Sequence, residues 1–287
     1  MAKVLAIVVT YNAMGWIDKC ITSLKESTQP VDILVIDNCS MDGTNEYVPD
    51  RYPEVTFLDS EENLGFGAAN NLGLLHVLNH EYDFAYLMNQ DAWVNPDTIE
   101  KLVNAWRPAY GILSPVQLNG KGRKMDKKFA KKCGKLIKKS PKDKLVVEVP
   151  FVMAAHWLVP RSAIETVGGF CPAFKQYGED DNWIDRMHYF GFVAGVVRDA
   201  KAVHDRADRK PDKAQRMKLK CVVPVVKILN PAHSFVGRCF SAPLELLGMT
   251  IKNFSSIPVK YIPDFVKRYK EFRALRQKSL VKGAFLD

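Results

Sequence analysis

The sequence lacks any apolar run close to the roughly 20 residues that a bilayer-spanning helix requires. Its first apolar stretch, Val4-Leu5-Ala6-Ile7-Val8-Val9, is too short for a signal peptide and runs directly into Thr10-Tyr11-Asn12. The expected location is the cytoplasm, either in solution or peripheral at the inner face of a membrane. Six cysteines, at 20, 39, 133, 171, 221 and 239, form no Cys-x-x-Cys pair and no zinc-like spacing, so they read as reduced thiols rather than a disulfide frame. Residues 10–15 hold no basic side chain of the kind that grips a triphosphate behind a first strand, which argues against a nucleotidyltransferase. Aromatic residues are nearly missing from the lysine-rich stretch 121–144, where Phe129 stands alone. Nucleic acid is therefore not an expected partner, because single strands are held by stacking as well as by charge.

What is present is apolar material for a full core: 287 residues, 47% hydrophobic, enough for one large α/β domain or one domain with an appendage. The formal charge of +9 conceals a division. Residues 1–120 carry 6 Lys/Arg against 16 Asp/Glu, and the remaining 167 residues carry a surplus of 19 positive charges. The first part suits an anion handled through a metal ion, and the second suits a negative surface. Residues 121–144, with twelve Lys/Arg against Asp126 and Asp143, read as a solvated, mobile insertion or as a grip for an anionic acceptor.

Apolar runs at 4–9, 31–36 and 84–88 predict strands buried on both faces of a parallel sheet, and residues 55–58 predict another. Helical periodicity in Trp16, Ile17, Cys20, Ile21 and Leu24 joins the first two, so the chain opens with a right-handed βαβ unit. Short helices at 97–106 and 162–167 and strands at 112–115, 145–149, 151–159, 192–197 and 202–203 follow.

Three polar stretches interrupt this pattern. In Asn63-Leu64-Gly65-Phe66-Gly67-Ala68-Ala69-Asn70-Asn71, small residues open a helix and let backbone amides approach an anion such as a phosphate; plain close packing is the other reading. In Asn89-Gln90-Asp91 a single carboxylate stands at the carboxyl end of a strand, where open α/β sheets place their ligand chemistry, and beside a diphosphate it would hold a metal ion. His204, directly after the closing strand, is a candidate to share that ion, Mn²⁺ or Mg²⁺. In Gly178-Glu179-Asp180-Asp181-Asn182 three consecutive acids open a helix. Neighbouring carboxylates raise one another's pKa, so such a cluster serves chemistry or a cation, unless it only complements the helix dipole.

The order of Val8-Val9-Thr10-Tyr11-Asn12, Asp37-Asn38-Cys39-Ser40-Met41-Asp42-Gly43-Thr44, the Asn63–Asn71 stretch, Asn89-Gln90-Asp91 and Tyr177-Gly178-Glu179-Asp180 resembles the inverting family-2 glycosyltransferases of the GT-A fold. Within them it is most similar to the rhamnosyltransferase-like members that build bacterial surface polysaccharides. The resemblance spans residues 3–206 and implies a Rossmann-like, mostly parallel central sheet flanked by helices. It implies a nucleotide-diphospho-sugar donor bound by Thr10, Tyr11, Asn12, Asp37, Asn63, Gly65, Asn70 and Asn89. It further implies a divalent cation on Asp91 and His204, a catalytic base at Asp180 paired with Glu179, and a saccharide acceptor, free or lipid-linked. Arg186 matches a family arginine expected to meet the carboxylates of its own helix or the donor phosphates. Asn89-Gln90-Asp91 keeps one acid where the family's metal motif has two. A catalytically silent nucleotide-sugar-binding module of a polysaccharide assembly complex is the alternative reading.

The expected division is a GT-A domain at 1–209, carrying the basic insertion 121–144, and a basic helical extension at 210–287. Ile262, Phe265, Val266, Tyr269 and Phe272 recur at helical spacing among lysines and arginines, a face that would pack on its own domain, form a homodimer or lie on an anionic membrane.

Overall fold

The computed structural model describes residues 1–206 and 212–286; the boundary expected at 209/210 lies outside the described residues. The chain begins with β1 (Val4–Thr10), α1 (Ile17–Lys25), β2 (Val31–Asp37), α2 (Thr44–Arg51), β3 (Thr56–Asp59), α3 (Phe66–Asn79) and β4 (Phe84–Asn89). It continues through β5 (Ala92–Val94), α4 (Thr98–Ala105), β6 (Tyr110–Asn119), α5 (Lys127–Phe129), a π-helical turn (Ala130–Gly134) and α6 (Lys135–Lys139). Next come β7 (Val146–Val149), β8 (His156–Pro160), α7 (Arg161–Val167), α8 (Glu179–Tyr189) and β9 (Val193–His204). The last part is helical: α9 (Lys213–Cys221), α10 (Val223–Leu229), α11 (Phe235–Asn253), a 3₁₀ turn (Pro258–Tyr261), α12 (Ile262–Lys267) and α13 (Tyr269–Lys278).

One sheet organises the molecule, in the order β3-β2-β1-β4-β8-β6-β9-β5, with β7 also paired to β9. The strands from β3 to β4 are parallel, and the apolar runs of β1, β2 and β4 are buried in that sheet. Leu5 and Ile7 enter one buried cluster with Ala69 and Leu74 of α3. Val4, Ala6 and Val8 enter another with Ile17, Ile21 and Leu24 of α1. The other half is mixed: β6 and β9 are parallel, while β8, β7 and β5 join antiparallel. The two short closing strands expected from the sequence are one strand, β9, because β5, β6 and β7 all pair along it.

Two further expectations change. The basic segment is not a solvated loop: Asp126 accepts hydrogen bonds from the backbone N–H groups of Lys128 (2.9 Å) and Phe129 (3.0 Å), capping a helical run through residues 127–139. Phe129, Cys133 and Ile137, four residues apart, are buried in the core while the lysines occupy the other faces. The face expected at 262–272 is broken at Arg268 between α12 and α13. Phe265 and Phe272 turn inward onto Phe174, Ile228, Leu246 and Phe285, whereas Val266 and Tyr269 are exposed.

The C-terminal helices are sewn to the sheet domain. The N–H of Gly169 donates to the carbonyl of Ala284 (2.8 Å), that of Gly283 to Thr166 (3.1 Å), and Asn71 Nδ2 to Phe285 (3.1 Å). No helix among the described residues is long and apolar enough to cross a membrane.

Candidate active site

Parallel register places Thr10 beside Asp37 and Val9 beside Asn89, so three of the polar stretches emerge together at the carboxyl edge of β2, β1 and β4. Asp37 is wholly buried and its carboxylate accepts from Thr10 Oγ1 (2.7 Å), Ser40 N (2.7 Å) and Ser40 Oγ (2.6 Å). Asn12, in the left-handed region at φ 52°, donates its N–H to Ser40 Oγ (2.8 Å) and accepts from Met41 N (2.9 Å). Both residues therefore fix the shape of the loops after β1 and β2. Neither faces the cavity those loops border.

That cavity, of about 950 Å³, is lined on this side by Thr10, Tyr11, Asn63, Gly65, Phe66, Asn89 and Gln90. Asn70 lies behind it, buried, donating to the carbonyl of Phe66 (2.8 Å) within α3. The small residues at the start of α3 serve close approach more than open amides. Gly65 has φ 82°, and a Cβ there would overlap the carbonyl of Lys175. Its N–H is taken by Asn63 Oδ1 (3.0 Å), and Gly67 faces Phe170. Gln90, which sequence reasoning passed over, accepts from Tyr11 N (2.6 Å) and donates to Tyr11 O (3.1 Å). Its side-chain amide thus behaves as an extra peptide unit tying the end of β4 to the end of β1.

The opposite wall is the start of α8. Tyr177 (φ 68°) and Gly178 (φ 92°) are both left-handed, and this turn brings Glu179, Asp180 and Asp181 onto the cavity. Glu179 is buried, and its Oε2 has no hydrogen-bond partner. Burial, followed by the negative charge of Asp180, pushes the Glu179 carboxyl up to about 8. Burial and then Asp181 push Asp180 up to about 6. Both carboxyls are thus raised above the ordinary range, Glu179 the further of the two, so the pair holds a proton more readily than free carboxylates do. Lys128, Lys131, Lys132, Lys175 and Arg206 supply positive charge to the same cavity.

Asp91 and His204 meet because β5 pairs with β9, which sets Ala92 beside His204 and lets Asp205 N donate to Asp91 O (2.8 Å). His204 Nε2 lies 3.4 Å from Asp91 Oδ1 and 3.4 Å from Asn89 Nδ2. Both residues are buried just behind the cavity wall, which Asn89 and Arg206 form. Arg206 Nε stands 3.2 and 3.3 Å from the two ring nitrogens of His204. The Asp91 carboxylate and the His204 imidazole, with the Asn89 carboxamide beside them, are oxygen and nitrogen donors of the kinds that Mn²⁺ or Mg²⁺ accepts. Among the described residues, however, no three His, Cys, Asp or Glu side chains gather around one point.

Sequence reasoning also missed His156. It is buried between Tyr86 OH (2.8 Å from Nδ1) and the carbonyl of Val203 (3.0 Å from Nε2), and burial drives it down to about 3. As a neutral ring it anchors the strand that carries His204. Arg186 departs from expectation: its guanidinium donates to the carbonyls of Val167 and Gly169 and lies over Phe285, away from the cavity.

The model of the family described as glycosyl transferase family 2 matches residues 5–168. The N-acetylglucosaminyl-diphospho-decaprenol L-rhamnosyltransferase of Mycobacterium tuberculosis is 28% identical over 241 residues, covering 72% of this chain and 78% of the relative. Among solved structures, Staphylococcus aureus TarS 1–349 in complex with UDP superposes with TM-score 0.60 at 15% identity, over 96% of this chain and 90% of that one. A mannosyltransferase from Pyrobaculum calidifontis in complex with GDP-Man and Mn²⁺ superposes with TM-score 0.57 at 18% identity, over 97% and 85%.

Proposed function

Because this chain belongs to glycosyl transferase family 2 and has the GT-A fold, we propose that it is an inverting, divalent-cation-dependent enzyme of bacterial surface polysaccharide synthesis. It would move a sugar from a nucleotide-diphospho-sugar to a hydroxyl of a saccharide acceptor carried on a lipid diphosphate. The observation that carries this reading is that Asp180 shares one cavity with Thr10, Tyr11, Asn63, Gly65 and Asn89. The rhamnosyltransferase relative supports the acceptor class, since its name specifies a diphospho-decaprenol saccharide.

Asp180 takes the proton of the acceptor hydroxyl as the new C–O bond forms, help worth roughly 10²–10⁴ in rate. Attack comes from the face opposite the leaving nucleoside diphosphate, so the anomeric centre inverts without a covalent sugar–enzyme intermediate. Glu179, protonated next to Asp180, keeps a second negative charge off the base. Asp91 and His204, with Asn89 beside them, would hold the divalent cation, which when bound would supply Lewis-acid stabilisation of charge on the diphosphate. Arg206 and Lys175 add charge along the diphosphate, and Lys128, Lys131 and Lys132 face the acceptor.

Nucleotide release, measured with a panel of nucleotide sugars and a lipid-diphosphate saccharide, tests the reading, with NMR reporting the anomer formed. An inverted linkage is expected; retention, or binding without release, overturns it, and the second result would identify a silent binding module. Asp91→Ala should abolish the part of donor-induced thermal stabilisation that depends on Mn²⁺, a shift that for native protein at 100 Kd of donor is about 2.7 kcal/mol. An unchanged shift would remove Asp91 from the cation site.

A further inference from the structure

The helix α11 is apolar on two opposite sides. Ala242 and Leu246 are buried against the helices around them. On the far side Val236, Phe240, Leu244, Leu247 and Ile251 recur at spacings of three and four, and Phe254 extends the row from a left-handed turn at φ 47°. These six side chains are between 41% and 97% exposed, and none of them is charged or polar. Contiguous apolar surface of this kind marks an interaction site rather than scattered exposure.

We propose that this ridge seats the protein on an anionic lipid surface. The charge around it selects that occupant. Residues 212–286 contain fifteen Lys/Arg against four Asp/Glu. The acids are already engaged: Glu245, the one acid of α11, pairs with Lys227 at 2.8 Å, Asp264 and Glu271 pair with Arg268, and Asp212 caps α9. Exposed Lys252 and Lys260 stand near one end of the ridge. An apolar stripe flanked by surplus positive charge is what an interfacial helix uses, the stripe entering the acyl boundary while the cations face lipid headgroups. A second copy of the chain would bring the same positive surplus against itself. The 3₁₀ turn at Pro258–Tyr261 packs on α11, and its Tyr261 lines a cavity that shares Lys128, Tyr177 and Arg206 with the active cavity. A lipid-linked molecule at that surface would thus have its headgroup near the site.

The test is co-sedimentation of the full chain with vesicles of phosphatidylcholine alone or mixed with phosphatidylglycerol, for the native protein and the F240E/L244E variant. Expected is binding that needs phosphatidylglycerol and falls by more than about tenfold in the variant, with thermal unfolding unchanged. Equal binding by the variant overturns the proposal, as does native protein that never leaves solution. A dimer that F240E/L244E separates, seen by light scattering, also overturns it and assigns the ridge to a second copy. Nucleotide release from a soluble donor without vesicles reads the transfer activity separately, so failure of either inference leaves the other standing.

Discussion

The carboxyl ends of β1, β2 and β4 and the outer face of α11 break the ordinary rule of apolar inside and polar outside, in opposite directions. At the strand ends polar groups satisfy one another: Asp37, buried, by Thr10 and Ser40, and Tyr11 by Gln90, while Gly65 nearby is held by Asn63. Along α11 and its cap six apolar side chains are 41–97% exposed to water. The first region is preorganised, with the buried Asn89 Oδ1 an exception that has no hydrogen-bond partner, as has Glu179 Oε2 on the opposite wall. The second is finished only by something outside the molecule. A buried polar network is a site already built; an exposed apolar row is half of one.

The sharpest way to break this contrast is Asp180→Asn, expected to cut turnover by roughly 10²–10⁴ while donor affinity is unchanged. Near-native transfer by this variant would move the chemistry elsewhere. Next in size is a pair of truncations compared by urea denaturation. Phe272→Ala, in the core of the C-terminal helices, should cost about 3–5 kcal/mol, whereas Phe240→Ala on the ridge should stay within about 0.5 kcal/mol. Equal losses would mean the ridge is covered in solution. Gly65→Ala should cost at least about 1–2 kcal/mol, because the left-handed backbone is strained for alanine and the Lys175 carbonyl must retreat; an unaltered melting temperature would show that turn to be loose. The smallest effect is on pH. Asp180 must be ionised to act, so kcat/KM should rise with pH through about 6. Asp181→Asn removes a like charge that holds this value up and should move the limb to lower pH. A limb that stays put would show that burial alone sets it.

Much of the first region could be read from the residues. Continuous apolar runs admit few structures other than buried parallel strands, and the polar residues that end them had to gather at one edge. The roles of Asp37, Asn12 and Asn70 were less legible, because a polar residue at a strand end looks the same whether it faces a ligand or braces a loop. Gln90 was missed because its use as a surrogate peptide depends on the separation of β1 and β4, not on neighbouring sequence. In the basic half, counting lysines hid the stripe of Phe129, Cys133 and Ile137, since three apolar residues at one-turn spacing are outvoted by charge in any composition window. The ridge on α11 escaped for the reverse reason: its apolar residues look like core, and only the packing shows that two faces compete and one loses.

Gly65 lies so close to Lys175 that a Cβ would strike its carbonyl, and Phe66 and Asn71 meet Phe170, so the cavity's two walls touch along the start of α3. The turn that opens α3 and the segment that leads to Tyr177 and Gly178 are therefore not free to move independently. A donor that displaces one must push the other, and the acids at the head of α8 ride on that segment. Filling the nucleotide side should be felt at the proton acceptor before any acceptor sugar arrives, which would tie the order of substrate binding to this seam.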